Sequence, residues 1–256
     1  MPPLVLTKHH GLGNDFLVLL DLAGAEPVDA ARAKALCDRR RGIGADGLIR
    51  VTRGTGGADL TMELRNADGG VAEMSGNGIS CLAQAAIYEG AAPGPELSVM
   101  TLAGRRELTV RAETMPGIRH VTVGMGAATV TGEKDVDGDT GVLVDVGNPH
   151  LVLRDRHQDL VALGKAFSDL NVELIDVADP VLGALRMRVH ERGVGLTDAC
   201  GTGSVAAAAA ARSLGLSERN EISVWQPGGV AEVRIEDDNQ AWLTVQVQYV
   251  GRVEVP

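Results

Sequence analysis

The chain has 256 residues, of which 45% are hydrophobic and only 2% aromatic, and it carries a formal net charge of −10. That length allows one large or two medium domains, with a core built from Ala, Val, Leu and Ile. The acidic balance argues against nucleic acid as a partner, since such binding relies on basic surface; no apolar run reaches the ~18 residues of a membrane span, and the N-terminus lacks a signal peptide's basic and apolar segments.

In chain order, Leu4–Leu6 and Phe16–Leu20 read as strands on either side of a Gly13-Asn14 turn. Asp29–Arg40 reads as a helix with Ala33, Leu36 and Cys37 on one face, and Leu48–Val51 as a strand. Leu60–Leu64, Ser98–Leu102 and Glu107–Arg111 follow, the last two alternating as half-buried strands do. Strands are also expected at 120–124, 141–146, 151–153, 187–190, 221–224, 231–235 and 241–247, with Asp135–Asp139 as an exposed acidic loop.

The most informative feature is a repeat. Ser75-Gly76-Asn77-Gly78 opens one Ala-rich helix, and Cys200-Gly201-Thr202-Gly203 opens another that contains Ala206–Ala211. Gly90 and Gly215 follow at the same offset, each where a helix C-cap would fall. Upstream, Gly13-Asn14 answers Gly147-Asn148. Two homologous α+β lobes are therefore expected, residues 1–117 and 118–256, each a sheet wrapped around a central helix. A side chain at a glycine-rich helix start sits beside free backbone N–H donors and the positive end of the helix dipole. Such a place binds carboxylates and lowers a thiol's pKa. On this ground Cys200 is the strongest single candidate, whereas Cys37 and Cys81 read as core. The three cysteines make no disulfide framework and suit a reducing, cytoplasmic setting.

Other motifs read as structural. Gly42-Ile43-Gly44-Ala45-Asp46-Gly47 matches a dinucleotide fingerprint, but a helix precedes it and a strand follows, the reverse of the required order. His9-His10 on a strand would point to opposite faces, and no zinc-like spacing occurs, so no metal is expected. None of the four lysines (Lys8, Lys34, Lys134, Lys165) lies in a Schiff-base setting. No cofactor is expected.

The ordered set of segments 10–16, 41–47, 65–69, 75–78, 147–150, 171–173, 191–195, 199–203 and 227–229 resembles the diaminopimelate epimerase family, cofactor-independent epimerases of an amino acid. The resemblance implies two pseudo-symmetric lobes, each a barrel-like, mainly antiparallel sheet around a helix, with a small amino-acid substrate in the cleft and the last strand returning to the first lobe. It is compatible with a homodimer. It places Ser75 and Cys200 at the two catalytic cysteine positions, and His150 and Glu191 at polar groups beside them. Asn14, Asn66, Gly76, Asn77, Asn148, Asn171, Arg192, Gly201 and Thr202 match substrate-contacting positions. The chemistry suits these residues: without pyridoxal, carbanion charge is stabilised by hydrogen bonds and dipoles, and inversion needs a base on one face and an acid on the other.

Three departures stand out. Ser75 replaces a cysteine, Leu196 stands where the family usually has glutamate, and Thr244–Val247 replaces a Thr-Gly-Pro-Ala run. An alcohol is a poor base at neutral pH. The sequence therefore leaves open an impaired or altered epimerase, a related racemase, isomerase or lyase, and a non-catalytic amino-acid-binding protein.

Overall fold

A computed structural model describes residues 3–92 and 94–255. The chain forms two compact units: one runs to Val123 and resumes at Val245, and the other runs from Gly124 to Thr244. Both changeovers fall inside strands, and the first, at 123/124, lies six residues beyond the division expected at 117/118. Among the described residues no helix is long and apolar enough to cross a membrane.

The first unit contains β1 (Leu4–Gly11), β2 (Asn14–Leu20), α1 (Ala30–Cys37), β3 (Gly47–Arg53), β4 (Leu60–Asn66), β5 (Val71–Ala72), α2 (Gly76–Tyr88), β6 (Glu96–Thr101), β7 (Gly104–Val110) and the start of β8 (Ile118–Ala127). The second contains β9 (Thr129–Val136), β10 (Asp139–Asp145), β11 (Pro149–Arg154), α3 (Leu160–Ala166), β12 (Asn171–Asp179), β13 (Ala184–Glu191), β14 (Gly195–Thr197), α4 (Gly201–Ser213), β15 (Glu221–Gln226), β16 (Gly229–Ile235) and the start of β17 (Gln240–Val255).

In the first unit the strands close on themselves. The order is β1, β2, β3, β4, β6, β7, β8 and β17, and β17 pairs back onto β1 from Leu4↔Val255 to Gly11↔Val247. This eight-stranded barrel surrounds α2, whose residues from Gly76 to Ala86 are all buried. The second unit repeats the same alternation. Its hairpins β10–β11, β12–β13 and β15–β16 are joined by the parallel pairs β11–β12 and β13–β15. These strands pack around α4, in which Ala206, Ala207, Ala208, Ala210 and Ala211 are fully excluded from solvent. A helix enclosed on every side must be apolar all round. Alanine meets that need while leaving room for strands on every face, which accounts for a core almost without aromatics.

Both central helices end alike. Gly90 (φ 69°) and Gly215 (φ 66°) take the left-handed conformation just past the cap. The following N–H groups, of Ala91 and Leu216, reach back to Ala86 O and Ala211 O, both at 2.8 Å, forming a Schellman motif. The repeat read from the sequence is thus a repeat of backbone geometry at both ends of each helix.

Several elements differ from the sequence reading. The first helix is shorter than Asp29–Arg40, with Asp29 as N-cap. The Asp38 carboxylate captures the N–H groups of Arg40 and Arg41 at 2.8 and 2.9 Å, and this local turn competes with further helix. The Gly42–Gly47 segment then wraps back over the helix end, with the N–H groups of Ile43 and Gly44 both bonded to Leu36 O. It offers no phosphate cradle. Asp135–Asp139 is a hairpin, turning at Asp137-Gly138 between β9 and β10, not a loop. Helix α3 and strand β12 escaped notice for one reason: α3 is short and capped by Asp159, and the first five residues of β12 are all buried. A strand covered on both faces shows no alternation.

A buried polar pin crosses the first unit. His9 Nδ1 donates to Gln84 Oε1 at 2.8 Å and its Nε2 accepts from Thr7 Oγ1 at 3.0 Å. Gln84 Nε2 donates to Gly117 O and Val247 O. Burial lowers the His9 pKa to about 4. Below its ordinary value near 6.5 the unfolded chain binds a proton that the folded chain refuses. The corresponding stability is full above pH 6.5 and is lost as the pH falls towards 4. Urea unfolding at pH 7 and pH 4.5 should show about 2 kcal/mol more loss in the native protein than in His9→Gln. Equal losses in the two proteins would remove His9 from this role.

Candidate active site

Each unit carries a candidate site at the start of its central helix, and the two match. In the first, Ser75 is the N-cap of α2, in extended conformation (φ −140°, ψ 126°), and its Oγ accepts from Gly78 N at 3.0 Å. Gly76 and Asn77 are buried in the first turn. Asn14 is delivered beside them by the two-residue Leu12-Gly13 hairpin turn, both residues having positive φ. Asn77 Nδ2 lies 3.4 Å from Asn14 Oδ1, and Asn14 Nδ2 donates to Asp46 Oδ2 at 2.8 Å. Asp46 is in turn bound to Arg39, which also grips Asp15. Burial works against the Asp15 charge, but Arg39 and Lys8 outweigh it and hold its carboxyl below the usual range. Asn66 sits exposed at the turn after β4, its backbone closing onto Gly70 and Gly69.

In the second unit Cys200 is the N-cap of α4 in nearly the same conformation (φ −134°, ψ 117°). Its Sγ accepts from Gly203 N at 3.3 Å and lies 3.6 Å from Thr202 Oγ1. Gln226 Oε1 accepts from Cys200 N at 2.8 Å, while Gln226 Nε2 donates to Ser204 Oγ at 2.9 Å. Gly201 is buried in the first turn. The His150 ring is fully buried, its Nδ1 2.7 Å from Glu173 Oε1 and its Nε2 3.0 Å from Asn148 Oδ1. Asn148 Nδ2 reaches Thr202 Oγ1 at 3.4 Å. Asn171 spends both ends of its amide internally, on Pro149 O and on the Arg192 N–H. It therefore braces the segments carrying His150 and Arg192. The Arg192 side chain is exposed.

Electrostatics distinguish the two helix starts. Cys200 was expected to have a lowered pKa from the helix start. The structure reverses that expectation. Burial pushes its thiol well above the usual range, and the Glu191 and Glu173 carboxylates push the same way; the bonds from Thr202 and Gly203 oppose them and lose. Burial likewise raises Glu191, against hydrogen bonds from Thr197 (2.5 Å) and the Cys200 thiol. In the resting protein Cys200 is thus a thiol near the Glu191 carboxyl, a group that can take its proton. Within its own unit Ser75 has no carboxylate or imidazole partner among the described residues; Gly78 N is what its hydroxyl caps. Cys37 and Cys81 are buried, and burial pushes them up to about 11 and above the useful range respectively. Among the described residues no group of His, Cys, Asp and Glu is placed to hold a metal.

Residue-type reasoning did not single out Asp46, Glu173, Thr197, Gln226 or Ser204. Asp46, Glu173, Gln226 and Ser204 act on or with neighbours more than twenty residues away, and Thr197 reaches Glu191 across the β13–β14 turn, so no local pattern marks them. Asp46 and Glu173 do lie in quoted segments, 41–47 and 171–173, but neither is marked there by its own residue type.

Set beside known proteins, the chain matches the family described as diaminopimelate epimerase over residues 6–131 and 142–254. It belongs to the diaminopimelate epimerase family. Curated relatives of that name include those of Mycobacterium avium, 40% identical over 90% of each chain, and Mycolicibacterium vanbaalenii, 41% identical over 91% of this chain and 90% of the relative. Solved structures share the fold at much lower identity. One is a hydroxyproline epimerase from Agrobacterium vitis with bound trans-4-hydroxy-L-proline, at TM-score 0.73 and 16% identity, covering all of this chain and 94% of that one. Another is a Bacillus anthracis phenazine biosynthesis protein of the PhzF family, at TM-score 0.72 and 14% identity, covering both chains in full. Membership makes the chain an isomerase of the epimerase and racemase type.

Two outcomes follow from the Cys200 geometry. Peptide-resolved alkylation with iodoacetamide should leave Cys200 nearly unreacted at pH 7, with reaction rising only above pH 9. Fast labelling at pH 7 would contradict the charge arrangement. A Cβ at Gly203 would lie 2.8 Å from Glu173 Oε1 and 3.2 Å from Cys200 Sγ. Gly203→Ala should therefore cost roughly 1–3 kcal/mol in urea unfolding, as overpacked sites do, despite alanine's better helix propensity.

Proposed function

We propose that this protein inverts the α-carbon of diaminopimelate without pyridoxal or metal, interconverting the LL and meso isomers. Cys200 and Ser75 would make the two proton transfers. The observation that carries the reading is the shared N-cap geometry: two Gly-x-Gly helix starts, one capped by a thiol and the other by a hydroxyl. The N–H groups of such starts and the helix dipoles suit an α-carboxylate and the charge that develops when the α-proton leaves. Asn14, Asn66, Asn77, Asn148, Arg192 and Thr202 would hold the amino and carboxylate groups, Arg192 being the exposed cation suited to a distal carboxylate. The supporting relatives bear the epimerase name over nine-tenths of the chain. The same reading makes the protein a cytoplasmic enzyme of lysine biosynthesis, acting as a homodimer.

Proton transfer at the two positions is unequal in this reading. Cys200 abstracts after passing its own proton to Glu191, and a thiolate raised in basicity by burial and nearby carboxylates is the stronger base. Ser75 suits donation: Gly78 N–H and the start of α2 stabilise the oxyanion it leaves, but nothing among the described residues of its unit is bonded to it to take a proton. The slow step is then the transfer at Ser75, in both directions of the reaction.

In deuterium oxide, the diaminopimelate isomer that presents its α-proton to Cys200 should exchange that proton faster than it inverts. The other isomer should exchange slowly. Ser75→Cys should raise epimerisation at least tenfold, equivalent to about 1.4 kcal/mol of barrier, and bring exchange and inversion rates together. Absence of exchange and of binding with either isomer would sink the substrate assignment. Binding without exchange would identify a binder that lacks the chemistry. If Ser75→Cys stays inert, Leu196 and Thr244–Val247 become the cause.

A further inference from the structure

Glu173 has entered so far only as a charge near Cys200, yet its placement is unusual. Its side chain is completely buried. Oε1 lies 2.7 Å from His150 Nδ1, and Oε2 is a buried carboxylate oxygen without a hydrogen-bond partner among the described residues. An unpaired buried carboxylate oxygen is costly, and such groups persist where a site uses them. The sequence makes room for it: Gly203, in the first turn of α4, lacks the Cβ that would meet Oε1 at 2.8 Å. Glu173 therefore occupies the space between the His150 ring and the helix turn that Cys200 caps.

We propose that Glu173 is a positioning residue for proton transfer at Cys200: it fixes the His150 ring with its hydrogen on Nδ1, and it places a negative charge beneath the first turn of α4. This rests on the reading of Cys200 as a proton-transferring group and extends it by a residue that touches no substrate.

The consequences are physical. A carboxylate accepts only, so the His150 nitrogen facing it is the one that carries hydrogen. The other nitrogen then accepts, so the Asn148 amide presents its N–H group to the ring and its oxygen to the Thr202 hydroxyl beside the Cys200 sulfur. Backbone N–H groups and the dipole at the helix start favour thiolate. Burial opposes them first, and the Glu191 and Glu173 carboxylates add to it, so the proton stays on sulfur. A thiol held in this way gives a more basic thiolate once its proton has moved.

The test combines a charge-removing variant with a measurement on the unaltered protein. Glu173→Gln keeps an oxygen towards His150 but loses the charge. The pH midpoint for peptide-resolved Cys200 alkylation should fall by about one unit, while kcat for epimerisation falls at least tenfold and KM stays within about twofold. An unmoved midpoint, or a loss confined to KM, would overturn the proposal. Should Glu173→Gln fail to fold, proton–nitrogen NMR of the native protein decides instead: a hydrogen on His150 Nδ1 at neutral pH supports the proposal, and an Nε2-only ring refutes it. The alkylation midpoint and the ring tautomer are read without turnover. A native protein that shows no exchange would therefore defeat the epimerase reading while leaving Glu173 separately tested.

Discussion

A helix wrapped by sheet on every side has one place to meet solvent or ligand, which is its end. In both units the surrounding strands consume the lateral surface of the central helix, and alanine and glycine are what fit there. The free N–H groups of the first turn then become concentrated at a point the strands cannot cover. Everything at the candidate site follows from that enclosure. The Gly-x-Gly runs are needed where the buried first turns meet their neighbours, and at Gly203 the closeness of Glu173 leaves no space for a Cβ. The hairpin and parallel connections bring Asn14, Asn148, His150 and Asn171 to strand ends beside the same turns.

The same enclosure explains the behaviour of Cys200. A helix start by itself would draw a thiol towards thiolate, but burial costs the charged form more than two N-terminal hydrogen bonds return. With two carboxylates nearby the balance shifts further towards the thiol. Such a site stores a proton on sulfur and needs a partner to accept it, which is the place Glu191 occupies. Ser75 has the cap without the partner. The two helix starts are therefore copies in backbone and unequal in proton chemistry.

Much of the architecture was legible because it rests on local signals. The duplicated helix starts, the closing glycines, the Gly-Asn turns and the alternating strands are all written in short windows. Helix α3 and strand β12 were not, since a short capped helix and a strand buried on both faces leave no periodic trace. The end of α1 was misplaced because the Asp38 side chain competes for backbone N–H groups that helix periodicity would have kept.

By itself, the sequence determined the two-fold repeat, the family, the residues at each helix start and the odd serine among them, because each is a matter of residue type at fixed spacing. The tertiary structure alone decided which proton sits where. The direction of the Cys200 shift, the burial of Glu173, the bracing role of Asn171 and the hold of Asp46 on Asn14 depend on charges and bonds between residues far apart in the chain. Electrostatic free energy is set by distance and burial in space, and neither is encoded at any single position.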